Sequence, residues 1–204
     1  MTFRSETPHK DQEQMQKALL STALTDTNKL ITKIAMVVFG SLAIGIAAQI
    51  NVPMFPVPMT LQTLVISVIG LTFGARLAGL TLLAYLAEGA MGLPVFAGFG
   101  FGLMKLVGPT SGFLWGFVAM AFATGWMVEN GFSRGVFKLF LAAFIPATLL
   151  FIPGMLVLWG VTPLDFSGAF KAGVLPFLIG DVVKSFLAAM VVLGGWSALS
   201  RRKT

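Results

Sequence analysis

The sequence predicts an all-α integral membrane protein with six transmembrane helices, both termini cytoplasmic, and structured loops on the outward side. Three observations carry that expectation. Of the 204 residues, 56% are hydrophobic and only 11% charged, with a mean hydropathy of +0.89; soluble domains hold about 25% charged residues. After the polar first 30 residues, the chain contains apolar runs enough for roughly six spans of about 20 residues each. The basic residues collect at helix ends and tails and form no stripe, so the formal charge of +6 does not point to nucleic acid.

Residues 1–30 read as a polar cytoplasmic tail, a flexible or surface segment with a weak helical stripe of Met15, Ala18, Leu19 and Thr22. Roughly 30 mostly polar residues ahead of the first apolar run make a cleavable signal peptide unexpected. Residues 31–204 then form a single membrane domain, with spans expected at 34–50, 61–75, 77–92, 112–128, 136–159 and 175–198. The second and third are separated only by Gly74-Ala75-Arg76, which predicts a tight helical hairpin. No internal repeat is visible, which weakens a transporter built from inverted halves.

Orientation follows from the cations. An even number of spans places Arg4, Lys10, Lys17, Lys29, Lys33, Arg76, Arg134, Lys138, Arg201, Arg202 and Lys203 on one side. Lys105 and Lys171 alone fall on the other, and Lys184 lies within a span. The crowded side is the cytoplasm. The outward side carries three unusual loops. In NVPMFPVPMTLQT (51–63) three prolines force an extended path. The segment 92–112 is rich in glycine and aromatics, and 161–176 is the third. Apolar irregular backbone beside a bilayer is tolerated where it lines a cavity, so these loops are expected to cover an outward-facing pocket.

Asp181 and Lys184 stand three residues apart within the apolar run 175–196. A charge at the centre of a membrane helix costs about 2.5–3.5 kcal/mol on insertion scales, so such residues usually have a task. Their spacing puts them on one helical face, where they can either neutralise each other or converge on a guest. Tyr85 and Glu88 share a face of the third span and are further candidates for polar contact. Lys105 is the only cation in the second loop, and Thr60 and Gln62 follow the proline loop. Phe96, Phe99, Phe101, Trp115 and Trp159 suit an apolar ring, against the plainer reading of interfacial aromatic belts. Ala43 and Ala47, flanked by Ser41 and Gly45, make a small-residue surface that admits a neighbouring helix.

Several chemistries are not expected. The chain has no cysteine, hence no thiolate nucleophile or Cys metal site, and its lone histidine, His9, sits in the tail. GFGFGLMK lacks the phosphate-loop pattern. No second aspartate lies in a span to complete an aspartyl protease dyad, and no histidine is placed to serve a serine hydrolase. Binding, not catalysis, is the expected role, with no cofactor or metal.

Four segments, VPMTLQTL (57–64), GARLAGLTLLAYLAEGAMGLPVFAG (74–98), GPTSGFLWG (108–116) and PFLIGDVVK (176–184), together resemble the BioY family. These are biotin-binding substrate (S) components of energy-coupling factor (ECF) transporters. The resemblance spans about residues 31–198, with Ser111 and Phe113 standing where Gly and Tyr are common. It implies six helices in the plasma membrane (the inner membrane of a Gram-negative bacterium) and a biotin pocket closed by the loops that begin at 51 and 92. It further implies that the Ala43/Ala47 surface docks on a transmembrane coupling subunit. Two ATPase subunits on other chains would drive toppling of the S component. The alternative is a stand-alone transporter of biotin or a similar small vitamin, alone or as a homo-oligomer, without an ATPase module.

Biotin offers a ureido group with two N–H donors and one carbonyl, an apolar bicycle and a carboxylate tail. Asp181 suits the ureido N–H groups, Lys184 either the ureido oxygen or the carboxylate, and Lys105 the carboxylate.

Overall fold

The computed structural model describes the backbone of residues 8–133 and 135–201, and side chains over 29–133 and 135–195. The side chains of residues 1–28, His9 included, and those of Arg134, Arg201, Arg202 and Lys203 lie outside the described residues. The chain divides into two units, Met1–Met36 and Val37–Thr204. The first is helical from Pro8 onward. All that follows concerns the second.

The helices are α1 (Pro8–Gln49), α2 (Gln62–Phe73), α3 (Ala75–Ala90), α4 (Ser111–Glu129), α5 (Val136–Leu149), α6 (Phe151–Val161), α7 (Phe166–Gly173) and α8 (Leu178–Arg201). A two-residue hairpin, β1 (Asn51–Val52) with β2 (Met59–Thr60), closes the proline loop in antiparallel register, Asn51 opposite Thr60. Among the described residues, four helical stretches are long and apolar enough to cross a membrane: Lys29–Gln49, Ser111–Glu129, Val136–Val161 and Phe166–Gly195. Large apolar side chains such as Phe39, Ile46, Phe137 and Ile179 stand exposed on the helices. In water such a surface would be a liability; in a multi-pass membrane protein it meets lipid.

Each boundary has a local cause. Gly74 alone separates α2 from α3, with φ +80°, a conformation open to glycine and costly for other residues. Glu129, at the end of α4, accepts from the Ala75 N–H at 2.8 Å and so occupies the start of α3, where the helix dipole favours an anion. α5 and α6 continue as one stretch broken at Leu150, where Pro153 has no N–H to give the Leu149 carbonyl. The segment 161–176, expected as an irregular loop, instead contains α7. Asp165 starts it by accepting from the Gly168 N–H at 2.8 Å, an N-cap that the sequence reading passed over.

α4 is the central helix, packing on α2, α3, α5 and α6, while α8 packs on α5 and α2. Close approach depends on missing side chains. A Cβ at Gly70 would stand 2.6 Å from Thr124 Cβ, and one at Gly112 would strike the Pro153 carbonyl. Membrane helices gain little from hydrophobic exclusion, so such intimate contact supplies much of their cohesion.

On α1 the small residues face inward. Gly40 lies under Thr81 and Phe73, Gly45 meets Val95, and Ala47 is 3% exposed. Ala43 is half-buried at the border of the exposed face formed by Phe39, Leu42 and Ile46. The small-residue surface expected to receive another protein is therefore largely taken up within the chain itself. Spacing alone did not say which way it turned.

Candidate functional site

At one end of the bundle the two irregular loops meet the first turns of α2, α4 and α8 around a cavity of about 170 Å³. Pro56, Val57 and Pro58 come from the first loop, Phe96, Ala97 and Lys105 from the second. The helices supply Phe113, Phe117, Phe151 and Phe177 as an aromatic wall, and Gln62, Asp181 and Lys184 as polar groups. A mostly apolar chamber with a few convergent polar groups is the usual build of a small-molecule site.

Asp181 lies in the first turn of α8 and is 3% exposed. Its Oδ2 accepts from the Thr148 hydroxyl at 3.0 Å. Lys184 Nζ donates to the Thr60 carbonyl at 3.1 Å. The two charges thus take separate partners, and among the described residues no ion pair joins them. Each helix charge is held in place by a single neutral group, with capacity left over: Lys184 has two further N–H donors. A self-cancelling pair would show the opposite arrangement.

Gln62 has both ends of its amide engaged. Its Oε1 accepts from Thr60 Oγ1 at 3.0 Å and its Nε2 donates to Tyr85 OH at 2.8 Å. Tyr85, fully buried, donates its hydroxyl hydrogen bond to the Val95 carbonyl at 3.0 Å. Its ring stands edge-on to Phe96, centroids 5.5 Å apart. Tyr85 does not line the cavity; it stands behind the wall. Glu88, expected on the same face, is also outside the lining, and its Oε1 accepts from the Ser41 hydroxyl of α1 at 2.7 Å. Lys105 does reach the cavity, from the exposed second loop.

Of the aromatics singled out from sequence, Phe96 lines the cavity, while Phe99, Phe101, Trp115 and Trp159 point to the outside. The wall is built instead from Phe113, Phe117, Phe151 and Phe177. Phe113 and Phe117 share a helical face at i, i+4, which was visible but not distinguishable from a lipid-facing pair. Thr148 had a clearer signal, being the only hydroxyl in the apolar run 139–159.

Phe96 is the loop's anchor. Its ring sits directly over Gly89 of α3, where any Cβ would collide with it, and it is 2% exposed. Gly89→Ala is therefore expected to expel the ring and to destabilise the protein by about 1–3 kcal/mol. A thermal melt of the purified variant checks this. An unchanged Tm would mean that the loop is not seated on α3.

Fold and site together define a class: a helical membrane protein with a ligand-sized chamber at one end of the bundle. A solved structure shares the fold, with a TM-score of 0.72 at 22% identity, covering 81% of this chain and 90% of its own. It is the 2.1 Å crystal structure of the S-component for biotin from an ECF-type ABC transporter. The sequence profile of the BioY family matches residues 15–201, and the chain belongs to the BioY family. Among its relatives, the biotin transporter BioY of Thermotoga maritima is 36% identical over 151 residues, 74% of this chain and 87% of that protein. A probable biotin transporter BioY of Pyrococcus horikoshii is 35% identical over 147 residues, 72% and 85% of the two chains. The Rhizobium etli biotin transporter BioY is 35% identical over 170 residues, 78% and 90%.

Proposed function

We propose that this chain captures biotin and carries it across the plasma membrane as the S component of an ECF-type transporter. The observation that carries this is the placement of Asp181 and Lys184 beside one aromatic-walled cavity without an ion pair between them. An anion that accepts and a cation that donates, set side by side, complement a ureido group, whose N–H donors flank its carbonyl. The four phenylalanines suit the apolar bicycle, and Lys105 at the mouth suits the carboxylate tail.

Six spans fit the element order when α5 and α6 count as one and α2 and α3 as short spans of 12 and 16 residues. The excess of cations on one side then puts both termini in the cytoplasm and the cavity outside. The sequence carries no phosphate-loop pattern; in the S-component reading a coupling subunit and two ATPases on other chains complete the machine. On α1 the accessible side is Phe39, Leu42, Ala43 and Ile46, so a coupling subunit meets these and not Ala47.

The test is uptake of radiolabelled biotin by cells expressing the chain with and without an ECF module, combined with copurification. Uptake that needs the module, with the module bound to the chain, supports the proposal. Full uptake by the chain alone overturns the S-component role in favour of a stand-alone carrier.

A further inference from the structure

The loop over the cavity is fastened from behind by side chains that do not face the ligand space. Gln49, in the last turn of α1, donates from Nε2 to the Phe96 carbonyl at 3.1 Å. Its Oε1 accepts from the Phe99 N–H at 2.9 Å, at a residue held with φ +56°. Tyr85 donates to the Val95 carbonyl from the α3 side. Three backbone groups of one loop, at residues 95, 96 and 99, are thus gripped by two side chains from two different helices. Between those grips the loop presents Phe96 and Ala97 to the cavity.

We propose that Gln49 and Tyr85 are positioning residues that latch the 92–112 loop across the cavity and so set the rate at which ligand enters and leaves. The latch reaches the polar floor as well. Tyr85 also receives the Gln62 amide, Gln62 receives the Thr60 hydroxyl, and the Thr60 carbonyl receives Lys184. These bonds, joined at Thr60 through that residue's own skeleton, therefore connect the cation of the site to the lid. Such networks hold their members to one arrangement and respond as a unit when one bond is lost. Gln49 places the end of α1 at the other side of the same loop, so movement of the lid is felt there.

This inference rests on the biotin-binding reading, and the experiment separates the two. Gln49→Leu keeps helix and bulk but removes both grips. Tyr85→Phe keeps the ring packed on Phe96 and removes only the hydroxyl. The rate constants for biotin are measured by stopped flow on the full chain in detergent. Losing one or two net hydrogen bonds from the closed lid is expected to raise the dissociation rate constant about 5- to 30-fold. The association rate constant rises with it, because a loosened lid admits ligand as readily as it releases it. A lost ligand contact would raise dissociation alone, and that result overturns the latch, as do rates within about twofold of the parent. Tyr85 is the only tyrosine in the chain, so biosynthetic 3-fluorotyrosine gives a single ¹⁹F reporter. Its resonance is expected to move in Gln49→Leu with no ligand present; an unmoved line breaks the link across the loop. If no variant and no parent protein binds biotin while the ¹⁹F line still moves, the ligand assignment fails and takes the biotin rates with it, while the link between Gln49 and Tyr85 across the loop stands.

Discussion

Replacing Asp181 with Asn is expected to weaken biotin binding by about 30- to 1,000-fold, the equivalent of about 2–4 kcal/mol. The substitution keeps the shape and still offers Thr148 an acceptor. It replaces one carboxylate oxygen with an N–H donor and removes the charge. A guest that brings two N–H groups then loses a charge-assisted bond and faces a donor where it needs an acceptor, and a buried donor left unpaired carries its full desolvation cost. Insertion gets easier, since a span without that carboxylate is cheaper to place in lipid. The check is equilibrium binding of labelled biotin beside the yield of protein in the membrane fraction. Near-normal affinity in a well-inserted variant would remove Asp181 from the site.

Lys184→Met is expected to cost about 10- to 100-fold in affinity, again with insertion preserved. Methionine matches the stem in length and apolar character but cannot donate. Two things are lost together: the donor available to the guest, and the bond that ties α8 to the Thr60 carbonyl beside the proline loop. Because Asp181 stands one turn away on the same face, the double variant should fall short of the sum of the two single effects. Binding of the single and double variants by the same assay gives the coupling directly. Strict additivity would mean that the two residues act on separate parts of the ligand.

What the sequence made legible was mostly what is costly in a membrane. Asp181 and Lys184 stood out because charges in an apolar run need a reason, and the structure sets both at the cavity. The proline loop was legible because Pro53, Pro56 and Pro58 permit little else. The helical runs were readable from length and hydropathy, and α2 and α3 were recognisable as a short hairpin across Gly74-Ala75-Arg76, which the structure tightens to Gly74 alone. Direction was not legible. Tyr85 and Glu88 share a face, but spacing does not say whether that face looks into a chamber, at α1 or behind a wall. Ala43 and Ala47 read as an interface, but the chain turns Ala47 into its own core. Aromatic residues carried the least information, because Phe, in lipid and in a binding pocket alike, is simply apolar; Phe113 and Phe151 were indistinguishable from Phe137 until packed. Gln49 was missed because a polar residue at a helix end in a membrane protein is ordinarily just wet, and only the loop folded back onto it reveals its two partners.

Isothermal titration of biotin into the purified full-length chain, run beside Asp181→Asn, tests the central claim most directly. Saturable one-site binding at or below micromolar biotin, lost in the variant, is the expected result. No binding to the parent protein at micromolar biotin, or equal binding by parent and variant, would contradict it.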